Sequence, residues 1–273
     1  MCGPRARKLD ILVCVSARVS AITCFVLGSS ACGFAPHSAA DTTGDDAAPP
    51  QLDAPAVIGD GPAQMDAPPQ AVYCDATDTQ LVACYRFENN LTDESSHHNN
   101  GTTTAVSYAA GKAGQALFVG TTTGIDIADS ASFDVADLTI EAWISPSVIP
   151  TGTNRAGILD CDGQYGFFLY ANGDLTCTAA GSVTAQANIQ PNHWTHVACT
   201  HANGTISIYA DGELINSGGG GTLATGGTTG ITLGGNNPPG GGNPLNGLLD
   251  QVRLFGVGRT AAQICADAGK TDC

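Results

Sequence analysis

The stretch Trp194-Thr-His-Val-Ala-Cys-Thr200 is followed by Asn203-Gly204, by Thr205-Ile-Ser-Ile-Tyr209 and, closely after that, by Asp211-Gly212. In both longer runs, apolar residues alternate with small or polar ones, which is the period of a strand with one buried face. Asn-Gly and Asp-Gly are the residues that two-residue hairpin turns favour, because both positions need a positive φ. The stretch therefore predicts antiparallel strands joined by tight turns.

The same pattern of short apolar runs and turn residues extends over residues 73–273. Leu138-Thr-Ile-Glu-Ala-Trp-Ile144 and Tyr165-Gly-Phe-Phe-Leu-Tyr170 have the length and the β-branched or aromatic content of strands. Helical features occur at Thr260–Gly269, with Thr260 as the N-cap and Gly269 as the stop. We therefore expect an all-β sandwich of about a dozen antiparallel strands with one short C-terminal helix.

Three further motifs carry a family resemblance. They are Leu81-Val-Ala-Cys-Tyr-Arg-Phe-Glu88, Asp93-Glu-Ser-Ser-His-His-Asn-Asn-Gly101 and Leu245-Asn-Gly-Leu-Leu-Asp-Gln-Val-Arg-Leu-Phe255. Together with the hairpin quoted first, they resemble the strands and loops of LamG-like domains, in the same order. The resemblance covers about residues 80–266 and implies a concanavalin A-like jelly-roll fold. It does not specify a ligand, because this fold hosts lectins, enzymes and adhesion modules.

The N-terminus has the features of an export signal. Basic residues precede the apolar run Val19–Leu27, which is too short to span a membrane. Ser30-Ala31-Cys32 resembles the lipobox of bacterial lipoproteins, which implies a signal peptide at residues 1–31 and lipidation of Cys32. Gly33 after the cysteine resembles the rule for outer-membrane lipoproteins. The alternative is ordinary cleavage nearby and free secretion.

Residues 32–72 are rich in Pro, Ala, Asp, Gly and Thr and contain a single aromatic residue, Phe34. Such a composition buries too little apolar surface to offset the entropy of ordering, so we predict a disordered tether. The folded domain is then expected at residues 73–273. The formal charge of −15 and the pI near 4.4 disfavour a nucleic-acid partner, because phosphates would be repelled.

The seven cysteines after the tether contain no CxxC pair, which argues against a zinc ribbon and favours disulfides in an exported domain. The family resemblance includes related domains with cysteines in the strands of Cys177 and Cys199, and it implies a bond between them. The remaining residues near the two chain ends could form two more bonds of open connectivity; they are Cys74, Cys84, Cys265 and Cys273. Cys161 is then left over.

The resemblance also implies a calcium ion near the opening loop and the closing strand, where Asp93 and Asp250 are the matching residues and Asn99 is a candidate for a further oxygen ligand. Calcium takes six to eight oxygen ligands, which Asp, Asn and backbone carbonyls supply. The alternative is that Asp93 and Asn99 form Asx-turns and that Asp250 pairs with Arg253 or with a backbone amide.

We expect a surface-exposed binding module that recognises a glycan or an extracellular protein and touches the membrane only through its lipid. The alternatives are a structural envelope or adhesion protein, or a glycoside hydrolase. Hydrolysis needs two carboxyl groups across the scissile bond, and the strand Leu138–Ile144 supplies only Glu141, so we do not expect an enzyme. The ligand-binding residues are open. Asparagines in the Gly-rich rim loops, with Tyr165 and Trp143 as aromatic surfaces, are the candidates; they are Asn236, Asn237, Asn243 and Asn246.

Overall fold

A computed structural model of the chain describes residues 73–103, 106–120, 124–237 and 242–273. The predicted signal peptide, the lipidation site Cys32 and the tether lie outside these residues. The family-typical all-β architecture is confirmed: fifteen strands form two antiparallel sheets within the described residues, with one short α-helix.

The larger sheet has eight strands in the order β13-β12-β11-β6-β15-β4-β3, and β1 pairs with β15. Their bounds are β1 Leu81–Tyr85, β3 Ser107–Ala110, β4 Gln115–Val119, β6 Leu138–Pro146, β11 Thr195–Ala202, β12 Thr205–Ala210, β13 Glu213–Gly219 and β15 Gly247–Phe255. The smaller sheet has seven strands in the order β10-β9-β8-β7-β14-β5-β2. Their bounds are β2 Gly101–Thr102, β5 Ile125–Ile127, β7 Arg155–Cys161, β8 Tyr165–Tyr170, β9 Leu175–Ala179, β10 Ser182–Ala185 and β14 Ile231–Leu233.

The predicted hairpins are present. Strands β11 and β12 pair in register from Val197↔Ala210 to Ala202↔Thr205, and the turn between them is Asn203-Gly204 with both φ angles positive. Asp211-Gly212 makes the next turn in the same backbone region. These turns fix the register, and the register puts one side of each strand into the core.

The core lies between the two sheets. Alternate residues of β8, namely Tyr165, Phe167 and Leu169, point inward, and their neighbours point to the outer surface. Strand β6 contributes its own alternate set, Leu138 to Ile144, from the opposite sheet. The period of two in the sequence therefore corresponds to an inner and an outer face on both layers.

Helix α1, Ala261–Asp267, covers part of the outer face of the eight-stranded sheet. Thr260 caps it as predicted, in a capping box with Gln263, and Ile264 packs on Ala198 and Tyr209. Tyr73, the first described residue, lies on the same outer face, where the guanidinium of Arg253 is 4.1 Å from its ring centroid.

The described residues form three disulfides, and the predicted bond Cys177–Cys199 is among them. It connects β9 of one sheet to β11 of the other. The connectivity that the sequence left open is Cys74–Cys84 and Cys265–Cys273. Cys161 is free and buried. Three disulfides are typical of an exported protein, because reducing compartments do not maintain them.

Candidate ligand-binding face

The outer face of the seven-stranded sheet has two adjoining depressions. Strand pairing puts Gly157, Phe168, Thr176 and Thr184 side by side across β7, β8, β9 and β10. The side chains in this row alternate with core residues along each strand, so they face away from the sandwich. We call the two depressions the first and the second pocket.

The first pocket has a volume of about 250 Å³. Its main lining residues are Arg155, Asp160, Gln164, Phe168 and Thr178. Phe168 lies beneath the pocket with 2% of its surface exposed, and polar or charged groups of the other four residues line the opening. The volume is below the range of about 300 to 1,000 Å³ that is typical of small-molecule sites.

Asp160 is held with one oxygen toward this pocket. The backbone N–H of Asn237 donates to its Oδ2 at 2.9 Å, and no described residue donates to its Oδ1. Burial raises the pKa of Asp160, while the Asn237 amide and the charge of Arg155 act in the opposite direction. Oδ1 is therefore an available acceptor in a poorly solvated place, where a hydroxyl donor would be favourable.

Arg155 lies next to the aromatic floor. Its Cζ is 4.0 Å from the centroid of the Phe168 ring, and its Nη2 donates to Asn236 Oδ1 at 2.5 Å. The stacked guanidinium is fixed in one plane by these two contacts. Since its other N–H groups have no partner among the described residues, they can donate to a ligand.

Gly166 explains why the Phe168 ring lies flat on the sheet. A Cβ at this position would be 2.6 Å from two ring carbons of Phe168 and 3.1 Å from Asp160 Oδ1. The missing side chain is what allows the ring and the carboxylate to come together. Thr178 also approaches here and donates to Gly166 O at 3.3 Å.

The second pocket has a volume of about 370 Å³. It is lined mainly by hydroxyl and amide side chains, and its residues include Tyr170, Asn172, Asp174, Thr176, Ser182 and Thr184. The hydroxyl oxygens of Thr176 and Thr184 are 2.9 Å apart and share one hydrogen bond. The pocket presents several oxygens that both donate and accept.

The predicted asparagines contribute in two ways. Asn236 and Asn237 support the first pocket through Arg155 and Asp160, as described above. Asn243 and Asn246 line a separate rim depression of about 250 Å³, which also includes Arg155. The rim loops therefore border the candidate face, but the sheet itself supplies most of its residues.

The two predicted aromatic residues lie in different parts of the fold. Tyr165 is buried, and its hydroxyl donates to Phe133 O at 3.2 Å. Trp143 is on the outer face of the eight-stranded sheet, where Lys112 Nζ lies 4.0 Å from the ring centroid and His196 packs against its edge. Tyr165 is among the residues that border the first pocket, whereas Trp143 borders neither pocket.

A comparison with known families assigns this fold. The sequence model Laminin_G_3, described as the concanavalin A-like lectin/glucanases superfamily, matches residues 119–265. The chain belongs to the concanavalin A-like lectin/glucanase superfamily. No curated protein sequence matches it.

Solved structures share the fold of this superfamily domain. Domain 4 of AbnA, an extracellular arabinanase from Geobacillus stearothermophilus in complex with arabinotriose, aligns with a TM-score of 0.59 and 24% identity. The alignment covers 70% of this chain and 98% of that domain. The binding domain of Paraclostridial Mosquitocidal Protein 1 aligns with a TM-score of 0.57 and 16% identity, over 69% of this chain and 52% of that one.

A sialidase from Trypanosoma rangeli in complex with 2,3-difluoro-KDN aligns with a TM-score of 0.53 and 17% identity, over 71% of this chain. The chain therefore spans about half of the mosquitocidal chain and, at 33%, a third of the sialidase. At these identities, the alignments show the fold of the superfamily domain and not its ligand.

The predicted calcium ligands of this superfamily domain are in two different environments. Asp93 is fully buried: its Oδ1 accepts from the amides of Cys84 and Ser95, and its Oδ2 accepts from Ser95 Oγ and from the amide of Asn99, all at 2.8 to 2.9 Å. Asn99 donates from its side-chain nitrogen to Ser132 Oγ at 3.0 Å. These bonds form the Asx-type loop that was the alternative to a metal site.

Asp250 is also buried, and its Oδ2 accepts from the amide of Ala113 at 3.1 Å. Its Oδ1 has no partner among the described residues. Burial raises the pKa of Asp250 to about 6, although backbone amides partly oppose this. Of the three predicted ligands, only Asp250 has a buried oxygen that a cation could satisfy. Calcium stays a prediction.

Glu141 does not line either pocket. It is buried on the outer face of the eight-stranded sheet and is paired with Arg253 and Arg259. Within the described residues, no cluster of three or more His, Cys, Asp or Glu side chains has metal-binding geometry. No helix in that part of the chain is long and apolar enough to cross a bilayer.

Sequence reasoning missed Arg155, Asp160 and Phe168 as site residues. Each had a weak signal. Arg155 and Asp160 are charged residues of the otherwise apolar strand β7, and Phe168 lies between Phe167 and Leu169, which point into the core. Only the pairing of β7 with β8 shows that these side chains meet on one outer face.

Proposed function

We propose that this domain is a glycan-binding module whose ligand occupies the first pocket. The arrangement of Asp160, Phe168 and Arg155 carries the proposal. A sugar has a rim of hydroxyls. The free Asp160 Oδ1 and the Arg155 N–H groups suit these hydroxyls, and the buried Phe168 ring supports the guanidinium of Arg155.

The comparisons support this ligand class. The arabinanase domain is a carbohydrate complex with the same fold, and its identity to this chain is 24%. The charge of the chain, −15, also fits an uncharged ligand better than a polyanion.

We further propose that the protein is exported and lipidated at Cys32, so that the domain is displayed at the cell surface. The apolar run Val19–Leu27 and the sequence Ser30-Ala31-Cys32 support this proposal. The three disulfides of the described residues are also typical of an exported protein.

A glycan array tests the proposal. The probe is the chain with Cys32→Ser, which prevents lipidation, and neutral plant and microbial oligosaccharides are included. We expect binding that Phe168→Ala abolishes and that Phe118→Ala leaves unchanged. Phe118 is the matched control because it is an exposed phenylalanine on the other sheet. Absence of glycan binding, or equal loss in both variants, would overturn the proposal.

We also propose that calcium binds beside Asp250 and stabilises the domain. A ligand that binds only the folded state raises the unfolding temperature with its occupancy. We expect millimolar calcium to raise the midpoint of thermal unfolding relative to chelator, and Asp250→Asn to remove the difference. An identical midpoint with calcium and with chelator in the parent protein would refute this site.

A further inference from the structure

A disulfide joins the beginning of the folded domain to its first strand. Cys74 is bonded to Cys84 of β1, with 5.7 Å between the two Cα atoms and a sequence separation of 10. Both residues are buried. The predicted tether, residues 32–72, comes directly before Tyr73 in the chain, so tension on the tether reaches the domain at Tyr73 and Cys74.

We infer that the Cys74–Cys84 bond is a mechanical clasp. It passes tension from the tether into β1 at Cys84 and keeps residues 75–83 out of the path of the force. This inference rests on the proposed display of the domain on a tether at the cell surface. It does not depend on which ligand the domain binds.

The segment that the bond bypasses has few attachments to the sheets. Most of residues 75–80 are exposed, and a hydrogen bond within the segment, from the N–H of Asp78 to Asp75 O at 3.0 Å, closes its turn. Without the disulfide, tension would straighten this segment and then open the ladder between β1 and β15 one pair at a time, starting at Leu81↔Phe255. Such sequential opening resists force weakly, because one contact carries the tension at each step.

The residue that receives the force is held on both edges of β1. The N–H of Cys84 donates to Asp93 Oδ1 at 2.8 Å, and its carbonyl accepts from the N–H of Glu94 at 2.9 Å. On the other edge β1 pairs with β15, where Cys84 is opposite Arg253. Every residue of β1 is buried. Tension at Cys84 therefore has to break contacts on two edges together.

The opening loop, residues 93–101, supplies the second edge. Ser95 Oγ donates to Val82 O at 3.1 Å, and Asn99 Nδ2 donates to the same carbonyl at 3.3 Å. Asp93 holds this loop by accepting from the amides of Ser95 and Asn99. The buried Asp93 thus has a mechanical function in this inference, because it stabilises the loop that holds the loaded strand.

Tyr73 makes a weaker attachment just before the disulfide. The guanidinium of Arg253 is 4.1 Å from its ring centroid, and Arg253 Nη1 donates to Tyr73 O at 3.4 Å. The Tyr73 hydroxyl donates to Gln251 O at 2.5 Å. These contacts are noncovalent, so sustained tension breaks them first and then acts on the disulfide.

Single-molecule measurement of unfolding at constant force tests the inference. The chain carries Cys32→Ser, lacks the other signal-region cysteines, and has one handle at its N-terminus. A second handle is inserted at Gly163, which is exposed and has no atom within 4 Å of an added Cβ. Gly163 borders the first pocket, so this handle pulls from the side of the proposed ligand.

The parent is compared with a chain that carries both Cys74→Ala and Cys84→Ala. At the same force, we expect this variant to unfold about tenfold faster, which is ~1.4 kcal/mol and corresponds to one or two hydrogen bonds that no longer resist together. The matched control carries Cys265→Ala and Cys273→Ala, which removes a bond of similar separation, 8 residues, outside this path. Its unfolding rate should stay close to that of the parent.

Moving the first handle from the N-terminus to the C-terminus separates a mechanical role from general stabilisation. Tension then bypasses Cys74, and we expect most of the difference between the parent and the Cys74→Ala, Cys84→Ala variant to disappear. Ser95→Ala keeps the disulfide and removes the hydrogen bond to Val82 O, so it tests the same point if the double variant does not fold. It should accelerate unfolding more with the N-terminal handle than with the C-terminal one.

Two results would overturn the inference. One is an equal unfolding rate of the parent and the variants when the N-terminal handle is used. The other is an equal acceleration with both handle positions, which would mean that the bond only stabilises the fold. Absence of a lipid on Cys32, measured by mass spectrometry of the membrane-extracted protein, would instead refute the proposed display. The two failures are distinguishable, because the force measurement contains neither lipid nor glycan.

Discussion

Glu141 and Arg253 form an ion pair that is hidden from solvent, with Arg253 Nη2 2.8 Å from Glu141 Oε2. Arg259 Nε lies 3.0 Å from the other carboxylate oxygen, and Asp267 of helix α1 pairs with both arginines. The cluster connects β6, β15 and α1. It therefore fixes the helix to the outer face of the eight-stranded sheet, on the side where Tyr73 also packs.

Glu141→Gln should be strongly destabilising. It leaves Arg253 and Arg259 in a buried place with a neutral partner, and breaking a buried ion pair from one side costs about 3–5 kcal/mol. Urea unfolding measures the loss. Glu88→Gln is the control, because Glu88 is half-buried and its Oε2 accepts from the amide of Gln115. Equal stability of Glu141→Gln and the parent would contradict the account.

The same cluster predicts a pH dependence. Burial alone would raise the pKa of Glu141, but the nearby His196 and the charges of Arg253 and Arg259 outweigh burial and lower it. A depressed carboxyl pKa contributes stability above the unfolded value of about 4.3, and this contribution disappears as the pH falls through the lower folded value. Glu141→Gln should lack this component of acid destabilisation. If the stabilities of the parent and of Glu141→Gln fell in parallel as the pH decreased below about 4.3, this account of Glu141 would be contradicted.

Cys177→Ala with Cys199→Ala should lower the free energy of unfolding by about 3 kcal/mol or more, because this bond closes a 22-residue separation between the two sheets. Removing Cys265–Cys273 should cost less, since that bond closes a separation of only eight residues at the chain end. Denaturant unfolding of both variants gives the comparison. The reverse order of stabilities would show that this entropic reasoning fails here.

Cys161 should be inert in the folded protein. Burial, aided by nearby carboxylates, raises the pKa of its thiol to about 12, so the reactive thiolate is scarce at neutral pH. The test uses the Cys32→Ser chain with the other signal-region cysteines removed. We expect no labelling by a thiol reagent at pH 8 under native conditions. After unfolding without reduction, mass spectrometry should show one label per chain. Rapid native labelling would contradict the burial of Cys161.

Gly166→Ala should damage the first pocket. The added methyl overlaps the Phe168 ring, so the ring must move away from Asp160, at a typical cost of 1–3 kcal/mol. Gly219→Ala is the matched control, since nothing lies within 4 Å of the added Cβ. Oligosaccharide binding should be lost in the first variant and kept in the second, as measured by calorimetry. Unchanged binding by Gly166→Ala would place the ligand elsewhere.

Asp93→Ala should destabilise the domain equally with calcium and with chelator. It removes the acceptor for the buried amides of Cys84 and Ser95, and each unsatisfied buried group costs about 1–3 kcal/mol. Thermal unfolding in both solutions tests this. A loss that calcium reverses would instead identify Asp93 as a metal ligand.

The sequence predicted the local structure well where single residues constrain the backbone. Asn203-Gly204 and Asp211-Gly212 adopt the positive φ angles of hairpin turns, and Thr260 begins the helix with its capping box. The very short strand β2 was not predicted, because two residues carry no period. It exists because the neighbouring strand β5 supplies its hydrogen bonds.

The candidate site was predicted poorly, because its residues are brought together only by the register in which the strands pair. Arg155, Asp160 and Phe168 are separated along the chain and have no motif in common. Asp93 and Asp250 match family positions, yet their hydrogen bonds differ, which depends on the folds of the loops around them. Side-chain surroundings of this kind cannot be deduced from residue type and spacing.

The sequence by itself determined the fold class, the turns, the helix and the set of cysteines available for pairing, because each depends on local backbone preference or on a period of two. Only the tertiary structure decided how the four cysteines near the chain ends pair, that Glu141 is a buried structural carboxylate, and that two pockets lie on one sheet. These features depend on which strands become neighbours and in which register, and that is set by the packing of the whole sandwich.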